Sequence, residues 1–335
     1  MNSKLKNFII LPLLLGIIEL SQAQDIVFSQ FKQVASYYNP AYAGFEREVG
    51  AGMMVRNQWG NTRGNYFQTY IFGDAYLEEY KSGAGLDLSY QDANSGGNTT
   101  LSLAARYNYH LELNKKWTSA VGLSAGYTSI KMNPDKLIFA DQLNTNTNST
   151  ATAENIGAIE NRGYLDIGIG TVFYVEQKTE ISLGIKHINF PSLKSLNDER
   201  TPIKPMISMY LKHRIKVAGS FYRPNSKKVY LSPSLLFLNQ AQFSQIKLGT
   251  AVEVELVTFG MYYRTGLGKL DGIYSKNDAL ILMGGINTES FNMTYSYDMN
   301  ISAQRLPTNS HELSLIYIKK SNKVKGMKRV KKRRR

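Results

Sequence analysis

The feature that most constrains this chain is a two-residue alternation of apolar and polar side chains, repeated along most of its length. In the segment 101–113, every odd position holds leucine, alanine or tyrosine, whereas most even positions are polar. A period of two places successive side chains on opposite faces of a β-strand. The same alternation returns in further segments, at 121–128, 165–173, 181–186, 291–299 and 312–317. The sequence therefore predicts an all-β fold in which each strand has one apolar face.

Three features favour a membrane barrel over a soluble sandwich. The alternating segments run for about ten residues or more, whereas soluble strands average five or six. The 22 tyrosines tend to stand near the segment ends, as in the aromatic girdles of outer-membrane barrels. The polar faces are rich in glycine and serine and also carry charges, at Arg56, Asp87, Arg106, Asp166, Lys186, Lys212, Arg214, Arg264 and Asp298. Because lipid cannot satisfy an open sheet edge, such strands must close into an up-and-down transmembrane antiparallel β-barrel.

The number of strands and the lengths of their connections agree with this architecture. Alternate connections are all short, whereas every long connection, such as 132–162, falls in the other set. Short periplasmic turns, longer outer loops and an even strand count are typical of bacterial barrels. We place about fourteen strands, near 47–58, 64–76, 82–93, 98–113, 117–131, 163–175, 178–190, 205–221, 228–240, 243–253, 255–266, 277–286, 289–300 and 310–318. Both chain ends are then expected in the periplasm.

The first 23 residues have the pattern of an export signal. Lys4 and Lys6 precede the apolar run 8–18, and Ser21 and Ala23 are the small residues that a signal peptidase reads. An uncleaved anchor is the alternative, but the apolar run is short for a transmembrane helix. We therefore expect residues 1–23 to be a signal peptide and the mature chain to begin at Gln24.

Residues 24–46 do not alternate and are not expected to span the membrane. The segment is aromatic and contains Asn39-Pro40, a turn signal. A barrel of about fourteen strands is wider than one that wall side chains can fill. We therefore predict that 24–46 folds into or against the lumen of a barrel formed by 47–318. A flexible periplasmic lead is the alternative interpretation.

Several motifs resemble those of one known family. Near the start stand Phe28-Ser29-Gln30-Phe31, then Asn39-Pro40-Ala41-Tyr42-Ala43-Gly44, then Arg56-Asn57-Gln58-Trp59. Further on stand Tyr262-Tyr263-Arg264 and the closing Ser310-His311-Glu312-Leu313-Ser314-Leu315. Together they resemble the PorP/SprF family of outer-membrane barrels, which is tied to the type IX secretion system and gliding motility.

The resemblance implies a bacterial outer-membrane location and a non-enzymatic barrel that needs no cofactor. It implies an adaptor or anchor that binds a secreted adhesin-like surface protein or periplasmic secretion and motor components. Two alternatives remain open. One is a FadL-like channel for a small hydrophobic solute, and the other is a barrel enzyme with catalytic residues on its loops.

The alternation in the first strand assigns a direction to each of its side chains. A charged guanidinium in a lumen needs carboxylate or carbonyl partners. Arg56 is therefore expected to hold the N-terminal segment or a neighbouring strand, although a solvated lumen charge is equally compatible. The predicted inward residues are Glu48, Arg56 and Gln58, and the predicted outward ones are Val49, Met53, Val55 and Trp59.

The net charge of +14 comes mostly from a C-terminal tail. Eleven basic residues and no acidic one lie from Lys319 onward, so the remaining chain carries only +3. Such a run suggests nucleic-acid binding in a cytoplasmic protein, but export argues against a nucleic-acid partner here. We expect 319–335 to be a periplasmic tail that is either solvated or binds an acidic partner or the inner leaflet. Its candidate binding residues are Lys323, Lys325, Lys328, Arg329, Lys331, Lys332, Arg333, Arg334 and Arg335.

Catalytic and metal-binding signals are weak. The chain has no cysteine and four scattered histidines, which disfavours thiol chemistry and histidine-rich metal centres. Residues 122–126 match G-x-S-x-G, but they lie in an alternating strand rather than at the strand-to-helix turn that the motif requires. Residues 141–161 lack the spaced acidic loop that binds calcium.

Overall fold

The computed structural model shows a closed antiparallel barrel whose lumen contains the N-terminal segment. The structure describes residues 25–45, 48–60, 62, 64–93, 97–133, 162–176, 178–194, 200–219, 228–270, 273–275, 278–302 and 309–320. The strands are β1 (Glu48–Gln58), β2 (Tyr66–Leu77), β3 (Ser82–Ala93), β4 (Asn98–Glu112), β5 (Trp117–Met132), β6 (Arg162–Val175), β7 (Thr179–Lys186), β8 (Ser192–Lys194), β9 (Arg200–Pro202), β10 (Met206–His213), β11 (Ile215–Ala218), β12 (Val229–Gln240), β13 (Phe243–Val254), β14 (Val257–Gly266), β15 (Gly268–Leu270), β16 (Ile273–Ser275), β17 (Ala279–Asn287), β18 (Phe291–Asn300) and β19 (Ser310–Lys320).

Fourteen spanning strands close the barrel, as the sequence predicts. Each spanning strand pairs with its neighbours in chain order, and β1 pairs with β19 along its whole length. Strands β10 and β11 together form one spanning strand, interrupted at Arg214, and β10 also pairs with both β7 and β12. Every spanning strand that the structure describes thus has a neighbour on both sides, so the backbone groups of the wall are satisfied within the sheet.

The two faces of the wall follow the sequence pattern. In β4, Leu103 and Tyr107 point outward and are exposed, whereas Arg106 and Asn108 point inward and are buried. The exposed apolar side chains recur around the barrel at the predicted outward positions. This surface, apolar outside and polar inside, is the one that a lipid-embedded barrel needs.

The two ends of the barrel differ in their connections. At one end, here called the short-turn end, strands are joined by tight turns such as 113–116, 255–256 and 288–290. At the other end, called the long-loop end, the connections include 133–161, 187–205 and 267–278. Two hairpins, β8–β9 and β15–β16, stand within those long connections and have no signal in the alternation. The strand predicted at 178–190 ends at Lys186 because His187 adopts a left-handed φ of 59°.

Residues 25–45, called the plug, cross the lumen from one end to the other. Asp25 lies near Gln240 at the long-loop end, and Gly44 lies near Asp74 at the short-turn end. The plug is built from short helical turns, a 3₁₀ turn at Phe31–Val34, a single α-helical turn at Ala35–Tyr38 and a second 3₁₀ turn at Pro40–Tyr42. A further 3₁₀ turn, Glu78–Tyr80, belongs to the wall connection between β2 and β3.

Three predicted features lie outside the described residues. They are the signal peptide with Gln24, the loop 141–161 and the basic tail from residue 321 onward. In the part of the chain that the structure describes, no helix combines the length and apolarity needed to cross a membrane.

Candidate functional site: the plug and its anchors

The long-loop half of the plug is held by a buried cluster of charges, called the charged anchor. The backbone N–H groups of Ser29 and Gln30 donate to the two carboxylate oxygens of Glu312, at 2.6 and 2.9 Å. Arg56 donates from Nη1 to the same Glu312 carboxylate, and both side chains are almost fully buried. The anchor therefore connects the plug to the β1–β19 pair, where the barrel closes.

Three more side chains complete the charged anchor. The Ser29 hydroxyl donates to Asp298 Oδ2 at 2.5 Å, and Arg264 Nη1 donates to the same oxygen at 2.7 Å. Lys247 donates from Nζ to the backbone carbonyl of Ser29. Three cations and two carboxylates thus converge on one plug residue. Because burying charges costs several kcal/mol per ion, such a cluster stabilises only while its partners remain together.

The other side chains of the two motifs that contain Arg56 and Glu312 have different positions and contacts. Gln58 Oε1 accepts a hydrogen bond from Arg56 Nε at 3.1 Å, so it orients the guanidinium. Trp59 differs from the outward position that alternation predicts. It follows the end of β1 with a left-handed φ of 59°, is half-buried, and packs edge-on against Tyr66 in the mouth of the lumen. His311 points out of the barrel, where its ring contacts Tyr295.

The short-turn half of the plug is held by neutral groups, called the neutral anchor. Asn39 Nδ2 donates to Ser182 Oγ and to the carbonyls of Thr171 and Leu183 on the wall, at 2.9 to 3.1 Å. Its Oδ1 accepts from the Ala41 N–H and so caps the 3₁₀ turn. Pro40 occupies the first position of that turn, where a missing N–H costs nothing.

The end of the motif fits the same wall. Asn108 donates from Nδ2 to the carbonyls of Ala41 and Ala43, at 2.9 and 2.5 Å. Gly44 has a φ of +57°, which a residue with a Cβ rarely adopts, and this conformation turns the chain toward β1. The Gly44 N–H donates to Asp74 Oδ1 at 3.2 Å.

Glycines in the wall leave room for the neutral anchor. A Cβ at Gly83 would overlap the Ala43 carbonyl oxygen, and one at Gly122 would overlap the Ala41 backbone nitrogen. A Cβ at Gly170 would likewise overlap the Asn39 side chain, and one at Gly184 would overlap the Tyr38 carbonyl oxygen. The G-x-S-x-G match is thereby explained, because Gly122 is a contact point for the plug inside β5.

Aromatic rings fill the centre of the lumen between the two anchors. Phe31 stacks on Tyr38 at 5.0 Å between ring centroids and contacts Tyr210 at 4.5 Å. Phe28 meets Tyr37 edge to face at 5.6 Å, and its N–H donates to the Tyr38 hydroxyl. These rings form the only extensive apolar cluster among the buried residues that the structure describes, so the core of this barrel is the plug.

A further set of charges holds the start of the plug at the long-loop end. His187 Nε2 lies 2.6 Å from Asp25 Oδ2, and its Nδ1 lies 2.7 Å from Asp166 Oδ1. Lys186 Nζ lies 3.5 Å from Asp25 Oδ1 and over the Tyr37 ring. We call Asp25, His187, Asp166 and Lys186 the latch.

His187 and Asp25, the two latch residues that lie outside the strands, both have shifted pKa values. Burial would lower the pKa of His187, but the Asp25 charge and the hydrogen bonds that His187 donates to Asp166 and Asp25 raise that pKa to about 9. Burial would raise the pKa of Asp25, but Lys186 and His187 hold it below its usual value. At neutral pH the latch therefore contains an imidazolium between carboxylates.

Sequence reasoning grouped the family motifs but did not connect them to their partners. The structure brings Ser29, Gln30, Arg56, Gln58, Arg264 and Glu312 together, and Phe28, Asn39, Pro40, Ala41 and Gly44 form the rest of the plug contacts. Lys247 and Asn108 were missed as partners. The signal for both was their inward parity, since Lys247 and Gln245 share one face of β13, and Asn108 and Arg106 share one face of β4.

The described residues show no grouping of three or more histidine or acidic side chains that could hold a metal ion. Ser124 lies inside β5 rather than at a strand-to-helix turn. Asp166 contacts His187, and His110 packs against Tyr76.

Three solved outer-membrane proteins are similar to this chain, each with a low identity and a low TM-score. A TodX deltaS2S3 mutant monoaromatic hydrocarbon channel is 14% identical with a TM-score of 0.49, covering 86% of this chain and 94% of that one. The Pseudomonas putida toluene transporter TodX is 11% identical, TM-score 0.47, covering 90% and 96%. The Acinetobacter baumannii outer membrane protein Omp33 is 7% identical, TM-score 0.43, covering 81% and 98%.

No curated protein matches the chain in sequence. The family model described as type IX secretion system membrane protein PorP/SprF matches residues 20–317, which include the plug and the whole barrel apart from the end of β19. The chain therefore belongs to the PorP/SprF family of type IX secretion system membrane proteins, located in the bacterial outer membrane.

Proposed function

We propose that this protein is a non-enzymatic adaptor or anchor of type IX secretion or gliding motility. In this proposal it binds a secreted surface protein, periplasmic machinery or both. The observation that carries the proposal is the plug, which spans the lumen and is fixed to the wall at both halves by buried contacts. A barrel filled in this way acts through its rims and ends rather than as an open pore.

The polar lumen disfavours the alternative of a hydrophobic-solute channel. Two cavities flank the plug, of about 620 Å³ at the long-loop end and about 350 Å³ at the short-turn end, and no described residue lines both. Amide, hydroxyl and charged side chains make up most of the lining of the larger cavity. Sites for hydrophobic ligands are instead lined mainly by apolar and aromatic side chains.

The basic tail belongs to the same proposal. β19 ends at Lys320 at the short-turn end, and in the proposal this end faces the periplasm, because short turns are typical of the periplasmic side of bacterial barrels. In the proposal, the tail contacts an acidic periplasmic partner or the inner leaflet, where each basic residue near an anionic surface contributes about 1 kcal/mol.

Affinity purification from membranes, with partners identified by mass spectrometry, tests the proposal. The full chain is compared with a form ending at Ser321 and with a full-length form whose tail lysines and arginines are replaced by glutamine. We expect secretion or motility proteins with the full chain, and a smaller, salt-sensitive yield of periplasmic partners with both altered forms. Recovery of a bound lipid without any protein would overturn the adaptor proposal, and equal yields from all three forms would remove the tail from it.

A further inference from the structure

The larger cavity has unusual hydrogen-bonding chemistry. It lies between the start of the plug and the long-loop ends of the strands, and has the volume of an ordinary ligand site. Four oxygen atoms of its lining side chains are buried and accept no hydrogen bond. They are Gln68 Oε1, Asn98 Oδ1, Asp278 Oδ1 and Asp298 Oδ1.

All four unpartnered atoms are acceptors. Among the described residues, this lining contributes oxygen atoms and no nitrogen donor to the set of buried polar atoms that lack a hydrogen bond. A buried acceptor without a donor costs about 1–3 kcal/mol, and more when it is charged. The cavity is therefore matched to a ligand that supplies N–H or O–H donors.

The charges around the cavity specify the kind of donor further. Arg56 and Arg264 line it, but both are paired with the Asp298 carboxylate. Asp25 is paired with Lys186 and His187. Asp278 forms no ion pair in the described part of the chain, so its charge is the one that the cavity leaves uncompensated.

Aromatic rings also face this cavity. Trp59, Tyr66 and Tyr164 line it. The rings of Trp59 and Tyr66 meet edge to face, with 5.8 Å between their centroids. Aromatic faces attract cations, and a planar guanidinium both stacks on them and presents five donors. A neutral hydroxyl ligand would satisfy acceptors but would not balance Asp278.

We propose that this cavity binds an arginine side chain of a polypeptide segment that enters from the long-loop end. The proposal rests on the proposed function only for the source of that segment, a protein partner. The site itself rests on the unpartnered acceptors, the uncompensated carboxylate and the rings.

The chain offers a direct optical readout, because it has two tryptophans and only Trp59 lines the cavity. In purified full-length protein carrying Trp117→Phe, Trp59 fluorescence would be titrated with acetyl-Gly-Arg-Gly-amide. The matched probe is acetyl-Gly-citrulline-Gly-amide, which has the same shape without the charge. We expect a saturable change with the arginine peptide and at least tenfold weaker binding of the citrulline peptide.

Two variants and one control locate the effect. Asp278→Asn is expected to weaken arginine-peptide binding about tenfold, and Asn98→Asp, which places a carboxylate at an unpartnered acceptor, is expected to strengthen it. Glu289→Gln removes an exposed carboxylate at the short-turn end and is expected to change nothing. Equal binding of both peptides, equal effects of Asp278→Asn and Glu289→Gln, or no saturable response would overturn the proposal and leave the cavity to water. Partner recovery in the purification above would be untouched by that result, so the two failures are distinguishable.

Discussion

The two halves of the plug are held by opposite kinds of chemistry. In the charged anchor, Glu312 and Asp298 accept from plug and wall donors and are compensated by Arg56, Arg264 and Lys247. In the neutral anchor, side-chain amide groups donate to backbone carbonyls, and glycines in the wall leave room for the plug. The charged anchor depends on every partner being present, whereas the neutral anchor depends on close packing between the plug and the wall.

This difference predicts different responses to mutation. Removing one partner from a buried charge cluster leaves an uncompensated charge, while adding a methyl group to a tight contact moves only the local backbone. Because the chain has no cysteine, a single Val34→Cys substitution would provide a unique thiol at a fully buried plug position. The maleimide labelling rate of this plug thiol reports how often the plug opens.

The largest expected effect is that of Glu312→Gln. The substitution keeps the shape of the side chain but removes the Glu312 charge, so that the buried Arg56 must share the Asp298 carboxylate with Arg264. Plug docking should lose about 3–5 kcal/mol, so that the plug thiol labels roughly 150- to 5000-fold faster. Adding Arg56→Gln to Glu312→Gln should restore part of the protection, because both charges are then absent. A labelling rate equal to that of Glu289→Gln would show that the charged anchor contributes nothing.

A smaller effect is expected from Gly83→Ala in the neutral anchor. The new Cβ would overlap the Ala43 carbonyl oxygen and displace the end of the plug. Overpacking of this kind costs about 1–3 kcal/mol, which should appear as faster labelling of the plug thiol. Gly284→Ala is the matched control, since a Cβ there meets no atom within 4 Å. If both variants label alike, close packing at Gly83 does not hold the plug.

The pH dependence of the latch should be of the same order or smaller. The pKa of His187 rises from an ordinary value near 6.5 to about 9 in the folded state. Its stabilisation is therefore complete below pH 6.5 and is lost as pH rises through about 9, a change on the order of 3 kcal/mol. With Ile26→Cys as the reporter, the maleimide labelling rate should increase over that pH range, because the start of the plug opens more often.

The labelling rate of the Ile26→Cys protein is divided, at each pH, by the rate of the same protein carrying His187→Gln. This ratio cancels the pH dependence of the thiol chemistry itself. A ratio that stays flat from about pH 6 to 9 would contradict a charged His187 in the latch. Asp25 acts in the opposite direction, because its lowered pKa keeps its contribution until pH falls well into the acid range.

Much of the wall could be predicted because a barrel strand is specified locally. Period-two alternation gave the strand count, the faces and the end at which the long connections lie, with strand bounds such as 82–93 and 229–240 reproduced within a residue. The failures occur where a backbone angle overrides alternation. His187 ends β7 early, and Trp59 turns into the lumen mouth, because both adopt left-handed φ values that no period can signal.

The partners of the plug could not be predicted, because they are distant in sequence. Ser29 meets Glu312 across 283 residues, and only closure of β1 against β19 brings Arg56 beside that pair. Parity indicates that Lys247 and Asn108 point inward, but not which plug atom each will meet.

The sequence by itself determined a lipid-facing barrel wall and an N-terminal segment too aromatic and too irregular to belong to it. Tertiary structure decided that this segment runs the full length of the lumen, which charges meet at Ser29, and which wall residues must be glycine. The physical reason is range. Alternation records whether each residue meets lipid or lumen, whereas hydrogen bonds and ion pairs inside the lumen depend on angstrom-scale distances that exist only after the barrel closes.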